Sequence, residues 1–209
     1  MNEETAVLNF FAKTENLSLG LSVAEQIDEI RITMNSAFLQ SLRVQLNSLI
    51  NQQVSDWKAE VIEDRNATEV LVGVQCKLQA AQPHYLFPML EQQYLGGVWR
   101  IYFGLMWSTA PSMTQLALPA VAELKQTLLD SGFKTNEAFL AWQWTNLYPR
   151  RRDFLLRYSQ QPEALLDEVE ALLARLLVNQ RELITAANAA LRTAPVSMTV
   201  SLDQLHRQK

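Results

Sequence analysis

The feature that most constrains the fold is a change in the spacing of apolar residues near residue 55. Before it, apolar side chains recur at steps of three and four residues, as on one face of an α-helix. These residues are Ile27, Ile30, Met34, Phe38, Leu42, Leu46 and Leu49. After it, the spacing falls to two in WKAEVIE (57–63) and TEVLVGVQCKL (68–78), which is typical of strands with one buried face. The sequence therefore predicts a long helix followed by an antiparallel hairpin.

The long helix is predicted to span 22–54. Ser22 and Glu25 have the spacing of a capping box, in which each side chain bonds to the backbone N–H of the other residue. The preceding ENLSLG segment predicts a break, so residues 1–20 form an N-terminal arm with a short helix of its own at about 4–13.

The hairpin is predicted to turn at DRNA, which sets its register. Glu63 then pairs with Thr68, and Asp56 lies opposite Gln75. Cys76 falls on the apolar face of the second strand, and we expect it to be a core side chain.

The predicted sheet covers residues 57–107. The segment 98–107, VWRIYFGLMW, alternates as a strand does, whereas Pro88 inside 84–95 predicts an edge strand or an irregular segment. The sequence thus indicates a small antiparallel sheet of three to four strands packed against long amphipathic helices.

Residues 113–193 are predicted to be helical. Pro119 suggests an entry turn or a kink, Thr135 begins a helix over 135–146, a short helix follows at 151–159, and Pro162 opens a last helix that runs to about residue 193. With a loose tail at 194–209, the whole chain 1–209 is predicted to be one α+β domain.

Composition restricts the location and the partners. The net charge is -4, so bulk electrostatics do not favour nucleic acid or anionic membranes. A single cysteine excludes an internal disulfide and fits a reducing compartment. The N-terminus lacks the pattern of a secretory signal, and no window is apolar for long enough to span a membrane. We therefore expect a cytoplasmic protein without membrane contact.

Most catalytic classes lack the necessary residues. Two histidines and no glycine-rich phosphate loop argue against a zinc site, a histidine-based triad or a nucleotide fold, so no metal and no cofactor is predicted. One alternative is a magnesium-dependent nuclease centre on the polar face of the hairpin, formed by Asp56, Glu60, Gln75 and Lys77. Alternating charges on a solvated hairpin also pair favourably without any catalytic role.

A second candidate site is the segment AWQWTNLYPRRRDFLLRY (141–158). Guanidinium groups and aromatic rings together are what single-stranded nucleic-acid binding uses. The candidate contact residues are Trp144, Tyr148, Arg150, Arg151, Arg152 and Arg157. The competing interpretation is that the aromatic residues belong to the core and that the arginines stack on them within the chain.

The leucines of the last helix form a stripe wider than one packing partner needs. The extra flank could meet the 22–54 helix, or it could serve as an interface between copies of the chain. A homo-oligomer through helices 22–54 and 162–193 is therefore possible.

Four segments, in this order along the chain, resemble the region that follows the catalytic core in bacterial and phage PD-(D/E)XK nuclease-like proteins. They are ENLSLGLSVAEQIDEIRITMNSAFLQSLRVQLNSL, DWKAEVIE, GGVWRIYFGLMW and AFLAWQWTNLYPRRRDFLLRYSQQPEALLDEVEALLARL. The resemblance implies an accessory or recognition module without nuclease chemistry, which contacts nucleic acid or a protein partner. A divergent nuclease and a helical oligomerisation protein are the alternatives.

Overall fold

The computed structural model describes residues 2–54, 56–64, 71–80 and 82–194. The described part contains seven helices and five strands, and it confirms the α+β class with one strand more than the upper expectation of four. In chain order they are α1 (Glu3–Phe11), α2 (Thr14–Gln53), β1 (Trp57–Asp64), β2 (Leu71–Leu78), β3 (Leu86–Leu95), β4 (Val98–Trp107), α3 (Met113–Leu116), α4 (Pro119–Asp130), β5 (Phe139–Trp144), α5 (Arg152–Gln160), α6 (Pro162–Leu177) and α7 (Arg181–Thr193).

The strands form one antiparallel sheet in the order β1-β2-β3-β4-β5. Two glycines allow neighbouring strands to approach closely. A Cβ atom on Gly73 would lie 2.1 Å from the carbonyl oxygen of Leu90, and one on Gly104 would lie 2.2 Å from that of Ala141. No side chain fits at these separations, so glycine is needed at both positions for the strands to lie this close.

One face of the sheet packs against α2 and α6, and the core lies between them. The alternating residues Val72, Val74 and Cys76 are buried there, as the spacing of two predicted. Burial raises the pKa of the Cys76 thiol to about 12, so this side chain stays protonated and acts as a small apolar group. A reciprocal pair of amide hydrogen bonds, at 2.8 and 2.9 Å, joins Asn35 of α2 to Gln92 of β3.

The prediction of a single last helix over 162–193 is wrong, because the chain separates into α6 and α7. The apolar spacing did not reveal this break, since Leu177 and Ile184 are seven residues apart and keep the helical period across it. α7 binds the first residue of β3 through a side chain. The side-chain amide of Asn188 accepts a hydrogen bond from the Leu86 N–H at 2.7 Å and donates one to the Leu86 carbonyl at 3.0 Å, as a neighbouring strand would.

The prediction for 84–95 is also wrong, because β3 is the central strand of the sheet. Pro88 is tolerated in a central strand because it pairs with only one of the two neighbouring strands. Residue 88 lies opposite Leu105 of β4, whereas pairing with β2 covers only residues 89–92 and stops beside the proline. A proline lacks the N–H that a second neighbour would need.

The helix predicted over 135–146 is instead the edge strand β5. Phe139, Leu140 and Ala141 are all buried, so both faces of this strand are covered and its residues do not alternate between apolar and polar. The side chain of Asn136 accepts hydrogen bonds from the backbone N–H groups of Ala138 and Phe139, at 3.0 and 2.7 Å, and thereby starts the strand with a turn.

The long helix begins earlier than predicted. α2 starts at Thr14, so the segment predicted to break the chain is helical, and Ser22 lies within the helix rather than at its cap. Gly20 fits here because α1 packs against it. A Cβ atom at Gly20 would come within 2.9 Å of the Phe11 ring.

The other helical expectations are close to the structure. α4 begins at Pro119 and α5 covers nearly the predicted 151–159. The predicted loose tail lies outside the described residues, apart from Ala194. Among the helices that the structure describes, none combines the length and the apolar character needed to cross a bilayer.

Candidate functional site

The polar face of the β1–β2 hairpin has a different register from the predicted one. Glu63 pairs with Val72 and Asp64 with Leu71, so the predicted Glu63–Thr68 pair is wrong. Apart from Asp64, the predicted turn DRNA lies outside the described residues. Glu60, and not Asp56, lies opposite Gln75. Asp56 lies before β1, where its backbone carbonyl accepts a hydrogen bond from the Gln79 N–H at 2.9 Å.

Glu60 lies between two lysines. Its carboxylate oxygens are 3.3 Å from Nζ of Lys58 and 3.2 Å from Nζ of Lys77. Partial burial alone would raise the pKa of Glu60, but the hydrogen bonds and charges of Lys77 and Lys58 outweigh it, and the pKa is lowered. The carboxylate thus already has two cationic partners. We call Lys58, Glu60 and Lys77 the hairpin cluster.

The four residues of the alternative nuclease centre are only partly brought together. Glu60, Gln75 and Lys77 are neighbours, but Asp56 is four residues from Glu60 along an extended chain, about 13 Å at strand geometry. Gln75 is buried and offers an amide rather than a second carboxylate. No group of three acidic, histidine or cysteine side chains suited to a metal ion occurs in the ranges that the structure describes.

A second set of charged groups lies at the turn end of the β3–β4 hairpin. The guanidinium carbon of Arg150 lies 4.2 Å from the centre of the Trp99 ring, and Tyr94 contacts the same indole with ring centres 5.7 Å apart. The hairpin turns through Gly96 and Gly97, whose φ angles of 55° and 90° favour glycine.

On the other side of β4, Arg100 and Arg151 share an aromatic partner. The guanidinium of Arg100 lies 5.1 Å from the Trp144 ring and 5.7 Å from the Tyr148 ring, and that of Arg151 lies 4.1 Å from Tyr148. Such cation–π contacts hold a guanidinium plane in place while its edge can still donate hydrogen bonds.

The loop after β5 fixes this arrangement to the sheet. Thr145 and Leu147 continue the pairing with β4 through hydrogen bonds to the backbone of Ile101, each at 3.0 Å. The hydroxyl of Thr145 also donates to the Ile101 carbonyl at 2.7 Å. Arg100 in turn donates from Nε to the Thr145 carbonyl at 2.7 Å and from Nη2 to the Asn146 side chain at 3.3 Å.

We call these two sets of residues, which lie on the two sides of β4, the basic–aromatic patch. Its members are Tyr94, Trp99, Arg100, Trp144, Tyr148, Arg150, Arg151 and Arg152. Arg151 and Arg152 are exposed, and Arg100 and Arg150 are partly buried. Within the two chain segments that supply the patch, 94–100 and 144–153, the only acidic residue is Asp153. These two segments therefore carry four arginines and one carboxylate.

The structure separates other members of the 141–158 segment from the patch. Phe154 is buried and packs edge-on against Phe38, with ring centres 5.1 Å apart, and Tyr158 contacts the same ring at 5.6 Å. Arg157 forms an ion pair with Glu168 of α6 at 2.6 Å. The competing interpretation is thus confirmed in two respects: Phe154 and Tyr158 pack in or against the core, and Arg150 and Arg151 stack on aromatic rings within the chain. We leave Arg157 out of the patch.

Three members of the patch were missed in the sequence. Tyr94, Trp99 and Arg100 lie about 50 residues before the arginine run, and strand pairing brings them to it. The available signal was Arg100 itself, a charged residue inside the otherwise apolar strand VWRIYFGLMW.

Neither the scan against protein-family models nor the searches of curated proteins and of solved structures gives a match to this chain. A function can therefore be inferred only from the geometry of the hairpin cluster and of the basic–aromatic patch.

Proposed function

We propose that the chain is a non-catalytic binding module that contacts single-stranded nucleic acid through the basic–aromatic patch. The observation that carries the proposal is the stacking of three arginines on aromatic rings at one end of the sheet, with a fourth arginine next to them in the chain. This combination supplies both phosphate contacts and ring faces for bases.

The aromatic contacts reduce the cost of binding. An arginine that is already stacked loses less side-chain freedom when it bonds to a phosphate, and its planar fork matches the phosphate oxygens. Tyr94 is 59% exposed, so one of its faces is accessible to a base. The partly exposed rings of Trp99, Trp144 and Tyr148 lie close to it or to the arginines.

The negative net charge of the chain does not prevent nucleic acid from binding at the patch. Residues 1–31 carry six carboxylates and two cations, which accounts for the whole net charge of -4, so the remainder of the chain is balanced. At physiological ionic strength charges farther away than about 8 Å are largely screened. The local excess of arginine then decides what approaches the patch.

The alternative of a divergent magnesium-dependent nuclease has one supporting observation, namely that Glu60, Gln75 and Lys77 are neighbours. It has less support than binding, because Asp56 lies away from them and two lysines already neutralise Glu60. The resemblance to the post-catalytic region of PD-(D/E)XK nuclease-like proteins also favours recognition. A bacterial or phage origin and a cytoplasmic location stay predictions.

The test is a fluorescence-anisotropy titration with labelled single-stranded DNA, single-stranded RNA and duplex DNA. Magnesium is present, and the products are separated on a denaturing gel. We expect binding to both single strands, weaker binding to the duplex and no cleavage. Cleavage that is lost in Glu60→Gln would favour the nuclease alternative.

A competition arm separates nucleic acid from an acidic protein partner. Polyglutamate offers the same negative charge without bases, so we expect it to displace the oligonucleotide only weakly. Displacement as effective as that by unlabelled single-stranded DNA would contradict the proposed role of the aromatic rings and indicate an acidic peptide as the ligand. The absence of binding at low salt would contradict the proposal as a whole.

A further inference from the structure

The two halves of α2 have very different surroundings. From Phe38 to Ile50 its inner face is fully buried against the sheet and α6. By contrast, every residue from 21 to 30 is exposed, all round the helix. We call α1 together with residues 14–34 the helical arm. Most of the stability of a helix in a protein comes from the packing of its apolar side.

An apolar stripe runs along the exposed half of α2. Its members recur at helical spacing: Leu19, Val23, Ile27, Ile30 and Met34. The first four are 56%, 43%, 36% and 46% exposed. The stripe points away from the side of α2 that reaches the sheet, since at about 100° per residue it is turned by roughly a third of a circle from Leu42 and Leu46. The fold of the chain therefore leaves it uncovered.

The charges of the arm lie elsewhere on the helix. Glu25, Asp28 and Glu29 are on the side opposite the stripe at the same angular spacing. Arg31 is turned to Asp28 in an ion pair of 3.0 Å. Two copies of the stripe can therefore meet without bringing carboxylates face to face. The stripe itself has no acidic group, so it does not suit a partner with a strongly basic binding surface.

The exposed apolar area fits a partner of the same kind. The exposed apolar side chains of α1 (Val7, Leu8 and Phe10) and of the stripe (Leu19, Val23, Ile27 and Ile30) together expose roughly 600 Å², about what each partner buries in the smaller stable interfaces. This is the upper end of the apolar patch that a typical monomer leaves uncovered, about 300 to 600 Å². We propose that the helical arm binds the arm of a second copy of this chain, with the two stripes packed together.

The other surface suggested for self-association is already used within the chain. Leu165, Val169 and Leu173 of α6 are fully buried, and α6 packs against α2 and the sheet. The interface between copies is thus assigned to the arm and not to α6. This inference is independent of the basic–aromatic patch, which lies on other elements.

Sedimentation equilibrium of the full chain over micromolar concentrations tests the proposal. We expect a dimer, and we expect the double variant Ile27→Lys/Ile30→Lys to shift to monomer mass with an unchanged melting temperature of the body, because both side chains are exposed. The matched control Ser18→Lys/Ser22→Lys adds the same charge on the other side of the helix and should leave the dimer intact. A monomeric wild type, or association that survives the isoleucine changes, would overturn the proposal.

Cross-linking gives a second readout. Cys76 is fully buried, so a cysteine introduced into the arm is the reactive one. A short bismaleimide should link two copies of Ile27→Cys efficiently and two copies of Ser22→Cys poorly. Equal yields from both variants would contradict packing through the stripe.

Discussion

The hairpin cluster and the basic–aromatic patch both place cations on the same sheet, but they differ in what surrounds those cations. In the hairpin cluster, Lys58 and Lys77 both contact the carboxylate of Glu60. In the patch, Arg100 and Arg151 contact aromatic rings, which hold a guanidinium without neutralising it. The comparison teaches that the kind of partner, and not the number of cations, decides which surface has charge left for a ligand.

The largest expected effect comes from removing two cations from each cluster. Arg151→Ala/Arg152→Ala should weaken binding to single-stranded DNA by roughly 20-fold at about 0.1 M salt, because two phosphate contacts are lost. Lys58→Ala/Lys77→Ala removes the same charge and should change the affinity by less than about twofold, since both lysines contact the carboxylate of Glu60. Fluorescence anisotropy measures both. Equal losses would mean that only net charge matters.

The aromatic rings of the patch should contribute somewhat less than the two arginines to the affinity for single strands. Tyr94→Ala removes one exposed ring and should weaken binding to single strands by about 10-fold, the value of one stacked base. Leu95→Ala is the control, because it removes a neighbouring exposed apolar side chain without a ring. If both variants lose the same affinity, the contact is apolar and does not involve stacking.

Changes in the hairpin cluster should affect the free energy of unfolding and not the affinity for nucleic acid. Glu60→Gln should lower the free energy of unfolding by about 0.5 kcal/mol at neutral pH, the size of a surface ion pair. Because the folded-state pKa of Glu60 is lowered, its contribution is present above the unfolded-state pKa and is lost as the pH falls through the lowered value. Urea unfolding across this range should show the two proteins converging in acid. A difference that persists in acid would contradict the ion-pair account.

The smallest effect is expected at Arg157. Its guanidinium is paired with Glu168, so Arg157→Ala should leave the affinity for single strands within about twofold of wild type. This variant removes an arginine only five residues from the patch. A loss comparable to that of the Arg151 and Arg152 variant would extend the binding surface along α5.

Much of the fold could be predicted from apolar spacing where one face of an element is buried. β1 and the half of α2 from Phe38 to Ile50 have such a face. β2 and β4 were also predicted as strands, although β4 is buried on both faces from Ile101 to Trp107. The spacing failed at β5 and at β3. β5 is covered on both faces, and β3 depends on Asn188, which lies about 100 residues away and completes the hydrogen bonds of Leu86.

The candidate site was predictable to the extent that it is local in sequence. The run Arg150–Arg152 with Tyr148 and Trp144 could be seen directly. Arg100 could not be assigned to it, because only the pairing of β4 with β5 and the loop at Thr145 brings it there. In the hairpin, Asp64 pairs with Leu71, so Glu60 lies opposite Gln75 where Asp56 was expected, and two lysines contact its carboxylate.

The most direct test of the central claim is the salt dependence of single-stranded DNA binding by the wild type and by the Arg151→Ala/Arg152→Ala variant. Four phosphate contacts predict a slope of about -3 for log K against log salt, and the variant should show about half of it. A slope near zero for the wild type, or the same slope for both proteins, would contradict the claim that the basic–aromatic patch binds nucleic acid.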